Sequence, residues 1–246
     1  MATLPPNRPC RAWGLLRRYE LWLPSLRGLL LVLCLLGGIL GFAVRNQCVF
    51  LSVNDRVGGD LLVLEGWVPD HVVHAAIDEF RRGGYRQLLV TGGGIERGER
   101  LSEWKTYAQL GQASLIRMGF PPEKISAVVG PQVDRDRTFN CALQLREWFL
   151  QHGGFPPVVQ VISIGPHCRR TRLMFEVGLG PKTHVGILAV PDPAYPQRHW
   201  WINSSGFREV IAESVAYIYA RFIFHATPVG DLDGGSASFT AKPRLN

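Results

Sequence analysis

No Cys-x-x-Cys pair occurs in this chain. Its five cysteines, Cys10, Cys34, Cys48, Cys141 and Cys168, are scattered without zinc spacing, which removes the usual signatures of a structural zinc site. His71 and His74 resemble half of a metal site, but no second pair accompanies them, and no metal is expected. The chain also lacks the spacing of a P-loop or a dinucleotide fingerprint, and it has no internal repeat. Even its basic excess is local. Of the 27 basic and 20 acidic residues, six and one fall within residues 1–45; the 21 and 19 that remain leave a net charge of +2. A balance so close to neutral argues against a nucleic-acid-binding domain.

What is present begins with a membrane signal. Gly28 to Val44 reads GLLLVLCLLGGILGFAV, seventeen residues without a charge between Arg27 and Arg45. At about 1.5 Å per residue they span about 25 Å, near the low end for crossing a bilayer. A buried core helix would show a polar face, and this segment has none. Arg8, Arg11, Arg17, Arg18 and Arg27 precede the run, with only Glu20 among them. The positive-inside rule then keeps the N-terminus cytoplasmic and exports the rest, to a plasma (inner) membrane location. A cleavable signal peptide is the rival reading, but the basic leader and the apolar run are both long for one. Residues 1–25 are therefore expected to be a cytoplasmic tail, 26–45 an uncleaved anchor and 46–59 a stalk. In an oxidising compartment one disulfide among Cys48, Cys141 and Cys168 is allowed, though nothing in the sequence demands it.

From residue 60 strands and helices alternate. Leu61–Leu64 is an apolar run closed by Glu65-Gly66. Residues 71–82 set Val72, Val73, Ala76, Ile77 and Phe80 on one helical face, and Gln87–Thr91 is the second strand. A helix near 102–118, a strand at 124–129, a helix at 138–151, a strand at 158–164, a helix at 168–178, a strand at 184–190 and a last helix at 206–224 follow. Five short apolar runs separated by amphipathic helices predict a Rossmann-like, doubly wound, mainly parallel five-stranded α/β sheet over 60–225, preceded by one transmembrane helix. Residues 226–246, rich in Gly, Ser, Ala and Asp, read as a disordered tail.

Open α/β sheets bind ligands just past the strand ends, and the polar residues gather there. Gly92, Gly93 and Gly94 follow the second strand, where glycines let backbone N–H groups approach an anion; a tight turn explains them equally well. Ser102 and Glu103 suit a helix start, Ser as the cap and Glu at the positive dipole end. Asp136 or Thr138 suits the cap of the next helix. His167 follows Ile162-Ser-Ile-Gly-Pro166 and precedes Arg169, Arg170 and Arg172. Imidazole transfers protons near neutral pH and guanidinium holds phosphate or carboxylate bidentately. Arg170, three residues beyond His167, is the one expected to share its ligand, with Arg172 left to the surface or to an ion pair. Glu65 is an unusual end for an apolar strand, because a carboxylate there must meet the cleft or a partner. Glu209 and Glu213, four apart on the last helix, are placed to reach back toward arginines.

These residues also carry a resemblance. In order, LLVLEGW, Val90-Thr-Gly-Gly-Gly94, Ser102-Glu103, Asp136-Arg-Thr138 and His167-x-x-Arg170 followed by Met174-Phe175 resemble the YdcF-like family, the SanA and ElyC type of envelope proteins, over roughly residues 60–224. The resemblance implies a Rossmann-like domain outside the inner membrane and a role in cell-envelope and peptidoglycan biogenesis through lipid-carrier metabolism. It carries Ser102, Glu103, Thr138, His167 and Arg170 over as site residues, and one branch of the family is linked to S-adenosylmethionine. The chain departs from the family pattern at Asn140, where T-x-E-N has its Glu, and at Glu65, where the first strand ordinarily ends without an acid.

Together these readings predict a membrane-anchored envelope protein whose exported domain binds, and in an enzymatic version hydrolyses or transfers, a phosphorylated lipid-linked precursor. His167, Glu103 and Glu65 would be its catalytic groups. Gly92, Gly93, Gly94, Ser102, Thr138, Asn140 and Arg170 would bind the ligand, with no cofactor specified. The alternatives are a non-catalytic module that recruits cell-wall machinery, and a nucleotide or S-adenosylmethionine binder. Changing His167 separates catalysis from recruitment.

Overall fold

A computed structural model describes residues 24–96, 101–133 and 135–225. The chain separates into two units, Met1–Val44 and Arg45–Asn246. Within the first, the described residues belong mainly to helix α1 (Leu26–Leu51), which continues into the second unit. It is long and apolar enough to cross a membrane, and no residue of its apolar window is buried among the described residues.

The second unit is an α/β domain. Strands β1 (Leu61–Glu65), β2 (Gln87–Gly92), β3 (Ile125–Val129), β4 (Val158–Ile164) and β5 (His184–Val190) form one sheet in the order β3-β2-β1-β4-β5, with every pairing parallel. Helices α2 (Asp70–Gly83) and α3 (Tyr107–Arg117) cover one face; α4 (Arg137–Gln151) and α5 (Cys168–Leu179) cover the other. Alternate residues of each strand feed the two cores. Leu62, Leu64, Leu88 and Val90 pack on Val72, Ala76, Ile77 and Leu115, while Val63, Leu89, Val161 and Ile187 pack on Leu145, Phe149, Phe175 and Leu179. Both faces of the sheet are buried, so the strands are continuous apolar runs rather than alternating ones.

The last helix, α6 (Ser204–Ile218), is capped by Asn203, whose side chain accepts the Gly206 N–H, and passes into a π-helical turn, Tyr219–Ile223. Helix α3 starts five residues later than its apolar spacing suggested. Its cap is Thr106, which accepts the Gln109 N–H at 3.2 Å while the Gln109 side chain accepts the Thr106 N–H at 3.2 Å, a reciprocal box that outcompetes Ser102 as the start.

The segment expected to be a stalk is packed. Cys48 and Leu51, at the end of α1, are fully buried against Tyr195, Trp200 and Val210. Gln47 donates to Ser214 at 2.9 Å, and the Arg169 guanidinium sits 3.9 Å over the Phe50 ring. Asp55 then pairs antiparallel with Ile187 on β5, and Asn54 Oδ1 accepts the Ala189 N–H at 2.9 Å. Cys34, Cys48, Cys141 and Cys168 are all free thiols.

Candidate functional site

Chain order reverses between β1 and β4. Their neighbours diverge to opposite sides of the sheet, and a crevice opens at their carboxyl ends, where doubly wound folds bind ligands. Glu65 is the last residue of β1 and lies buried in that crevice. Ser163, one residue before the end of β4, points at it from the neighbouring strand. A 3-10 turn, Gly165–His167, then swings the chain into α5, delivering His167, Arg170 and Thr171 to the same place. Glu213 arrives from α6, Thr138 from the first turn of α4, and Trp67 from the turn after β1.

One carboxylate oxygen of Glu65 accepts from Ser163 Oγ and from Thr171 Oγ1, the latter at 3.2 Å. The other lies 3.4 Å from His167 Nε2, within ion-pair range but without hydrogen-bond alignment. On the far side of the ring, His167 Nδ1 is 3.0 Å from Glu213 Oε1. Arg170 grips Glu213 with both prongs, Nε to Oε2 at 2.9 Å and Nη2 to Oε1 at 3.0 Å, and its Nη1 reaches Thr138 Oγ1 at 3.4 Å. Arg170 Nη2 and His167 Nδ1 are 2.9 Å apart. With a proton on Nδ1 that approach is no hydrogen bond but the third side of a triangle around Glu213 Oε1. Trp67 stands edge-on to the imidazole, ring centroids 4.8 Å apart, and is itself partly exposed.

The charges follow from this geometry. Burial disfavours the His167 cation, but the Glu65 carboxylate beside it and the bond to Glu213 outweigh that and lift its pKa to about 9. Burial also raises Glu65; the His167 charge beside it and hydrogen bonds from Ser163 and Trp67 overcome it and hold the carboxyl below its usual range. For Glu213, the bonds from His167 and Arg170 overcome burial and lower the pKa to about 2. At neutral pH the group is therefore an imidazolium and a guanidinium balanced by two carboxylates. Such a His167 is a proton donor at rest; it becomes a base only when a carboxylate neighbour is lost or displaced.

The other expected site residues lie apart from this network. Gly92 pairs with Val129 in the sheet and its carbonyl accepts the Gly130 N–H; a Cβ there would fall 2.6 Å from Ala108 N. Gly93 O accepts the Tyr107 N–H at 2.9 Å, and Gly94 bridges to Thr106. Close approach of α3 demands the small residue at Gly92, whereas a Cβ on Gly93 would lie 2.8 Å from the Pro131 carbonyl oxygen and one on Gly94 3.0 Å from the Gln132 side chain. The Ser102 hydroxyl accepts the Trp104 N–H at 3.1 Å in a loop, not at a helix start. Glu103 is exposed and borders a surface cleft with Trp104, Lys105 and Gln109. No hydrogen bond or ion pair described joins Glu103 to His167, Arg170 or Glu65.

Asn140 ties down the start of α4, donating to the carbonyls of Arg135 and Asp136 at 3.3 and 3.0 Å. Asp136 stands at the N-cap position of that helix and Thr138 does not. Asp136 takes a left-handed conformation, φ 52°, with no side-chain cap bond, and Thr138 lies inside the helix, facing Arg170. Arg172 pairs with Asp55 and Glu176, at 2.9 and 2.8 Å. Ser163 and Thr171 escaped sequence reading, although a Ser deep inside an apolar strand is itself a signal that a polar partner waits there. Among the described residues no three His, Cys, Asp or Glu side chains are grouped as a metal site needs. No protein-family model and no curated protein sequence matches the chain.

Proposed function

We propose that this chain is a membrane-anchored cell-envelope protein whose Rossmann-like domain, held outside the cytoplasm, binds and processes a phosphorylated, lipid-linked precursor. One observation carries the reading: His167, flanked by Glu65 and Glu213, stands beside Arg170 in the crevice where the sheet order reverses. Support for the setting comes from the apolar helix α1 and from the arginines ahead of it.

Phosphate and Glu213 compete for the same donors. A phosphoryl group presents oxygens with the spacing of a carboxylate, so it replaces Glu213 on the Arg170 fork. In that arrangement water attacks the phosphorus as the P–O bond to the carrier breaks, the His167 proton passes to the leaving oxygen, and Arg170 holds charge on the phosphoryl oxygens. Glu65, fixed by Ser163 and Thr171, keeps the imidazole oriented and charged. It fills the carboxylate role that Glu103, on its exposed loop, does not reach.

A non-catalytic reading has one specific support. Glu213 already occupies both prongs of Arg170, which makes the network self-sufficient as a structural clasp. The experiment uses the full chain in nanodiscs, with thermal stabilisation measured against polyprenyl phosphate, polyprenyl diphosphate, a sugar nucleotide and S-adenosylmethionine, followed by phosphate release. The enzymatic reading expects a shift with a polyprenyl phosphate or diphosphate and turnover that His167→Gln removes while the shift remains. A shift without turnover selects the binding module. Stabilisation by S-adenosylmethionine or the sugar nucleotide alone selects the nucleotide class, and no shift at all sinks the small-ligand reading.

A further inference from the structure

Helix α6 is built inside out. Its two acids, Glu209 and Glu213, turn inward to Tyr195 and to the Arg170–His167 pair. Its outward face carries Phe207, Ile211, Val215, Ile218, Phe222 and Ile223, the most open of them Phe222 at 71% and Val215 at 63% exposure. These fall at i, i+4, i+8 and i+11, one stripe of a helix, extended by the π-helical turn. No acid is exposed anywhere on residues 204–223; the charged residues that are exposed there are Arg208 and Arg221. A helix in water arranges these groups the other way round, and an apolar stripe of this length with basic flanks is the pattern of a helix lying in a membrane interface.

Chain connectivity says what covers it. Gln47 donates to Ser214 at 2.9 Å, and the Phe50 ring meets Tyr217 edge-on at 5.9 Å, so the C-terminal part of α6 runs beside residues 47–50. Those residues come only three to six positions after Val44, the end of the uncharged run. At about 1.5 Å per residue that is about 5–9 Å along the helix, the depth of a lipid headgroup layer. If α1 crosses a bilayer, the part of α6 that meets residues 47–50 is tied to the membrane by a tether of only a few residues.

We infer that the outer face of α6 is a membrane-seating surface, with Phe207, Ile211, Val215 and Phe222 entering the headgroup–acyl boundary and Arg208 and Arg221 meeting lipid phosphates. The domain then rests on the bilayer on the same helix that supplies Glu213 to the crevice. A second copy of the chain is the competing occupant, disfavoured because two such faces would bring Arg208 and Arg221 together with no exposed acid on residues 204–223 to pair with them.

The inference rests on α1 being an anchor, and the test separates the two. The full chain is reconstituted in vesicles of phosphatidylcholine with one-third phosphatidylglycerol, doped with a phosphatidylcholine carrying a diazirine on its acyl chain. After photolysis, adducts are mapped by mass spectrometry. Adducts in both 28–44 and 204–223 are expected. In the exposed-site variant Phe207→Glu/Val215→Glu, the α6 adducts should fall roughly tenfold with those in α1 unchanged, because two carboxylates oppose burial against acyl chains and anionic lipid. Adducts in α1 alone overturn the seating surface and leave the anchor standing, whether or not α6 cross-links to a second copy. Adducts in neither overturn both. Labelling of α6 that the double variant leaves unchanged overturns the seating surface as well.

Discussion

Glu213 Oε1 is shared by two cations: His167 Nδ1 and Arg170 Nη2 each lie 3.0 Å from it. Removing the carboxylate leaves imidazolium and guanidinium 2.9 Å apart in a partly buried site with no charge between them. Glu213→Ala should cost about 3 kcal/mol or more, measured by urea denaturation. Adding Arg170→Ala to it should return part of that loss, giving a coupling energy above about 1 kcal/mol. Strict additivity of the two changes would show that the triangle is not a unit.

Stability should decline on the alkaline side. The folded-state pKa of His167 is raised from its ordinary 6.5 to about 9, so its contribution is complete below 6.5 and lost as pH rises through about 9. The size is on the order of 3 kcal/mol. Glu213, lowered from 4.5 to about 2, contributes above 4.5 and fades as pH falls through about 2. A plateau between 4.5 and 6.5 is expected, with an alkaline slope that His167→Gln abolishes. Urea midpoints across pH 5 to 9.5 on both proteins decide it, and a wild-type curve flat through pH 9 would contradict the assignment.

Helix α3 seats directly on Gly66 and Gly92. A Cβ on Gly66 would lie 2.2 Å from the Tyr107 carbonyl oxygen, whereas one on Gly58 meets nothing within 4 Å. Gly66→Ala should therefore lower stability by about 1–3 kcal/mol through overpacking against backbone, and Gly58→Ala should be close to neutral. Thermal melts of the two, run side by side, make the comparison.

Asp136 holds a left-handed backbone, φ 52°, at the start of α4, stabilised by Asn140 on its carbonyl. Asp136→Val should cost about 1–2 kcal/mol through that conformation, and Asp136→Gly should be neutral or slightly favourable. Equal losses in both variants would place the effect in the side chain instead.

The fold was readable because its signals are local. Leu61–Leu64, Val158–Ile164 and His184–Val190 are apolar on both sides, and only a parallel sheet covered on both faces accepts such strands. His167 and Arg170 were also legible, since strand end, turn and helix start follow one another in sequence. Glu65 stood out as a charge closing an apolar strand, and the i, i+4 acids of α6 pointed to arginines without saying which. Which acid Ser163 and Thr171 meet was not legible, because that partner is about a hundred residues away. The start of α3 was misplaced for a different reason. Ser102 looked like a cap, but Thr106 with Gln109 closes a better one, and a reading of apolar spacing alone does not rank two caps.

The antiparallel contact of Asp55 with Ile187 has a consequence for how the domain keeps its own company. β5 is an edge strand, and Asp55, with the Asn54 side chain, takes up the outward hydrogen-bonding groups of Ile187 and Ala189. Those groups would otherwise template another strand. A chain begun at Asp60, however tidy it looks as a domain boundary, bares that ladder. It should associate edge to edge where one begun at Arg45 stays monomeric in light scattering. In this molecule the residues between anchor and sheet act as a selvedge, the finished border that keeps the weave from unravelling into its neighbours.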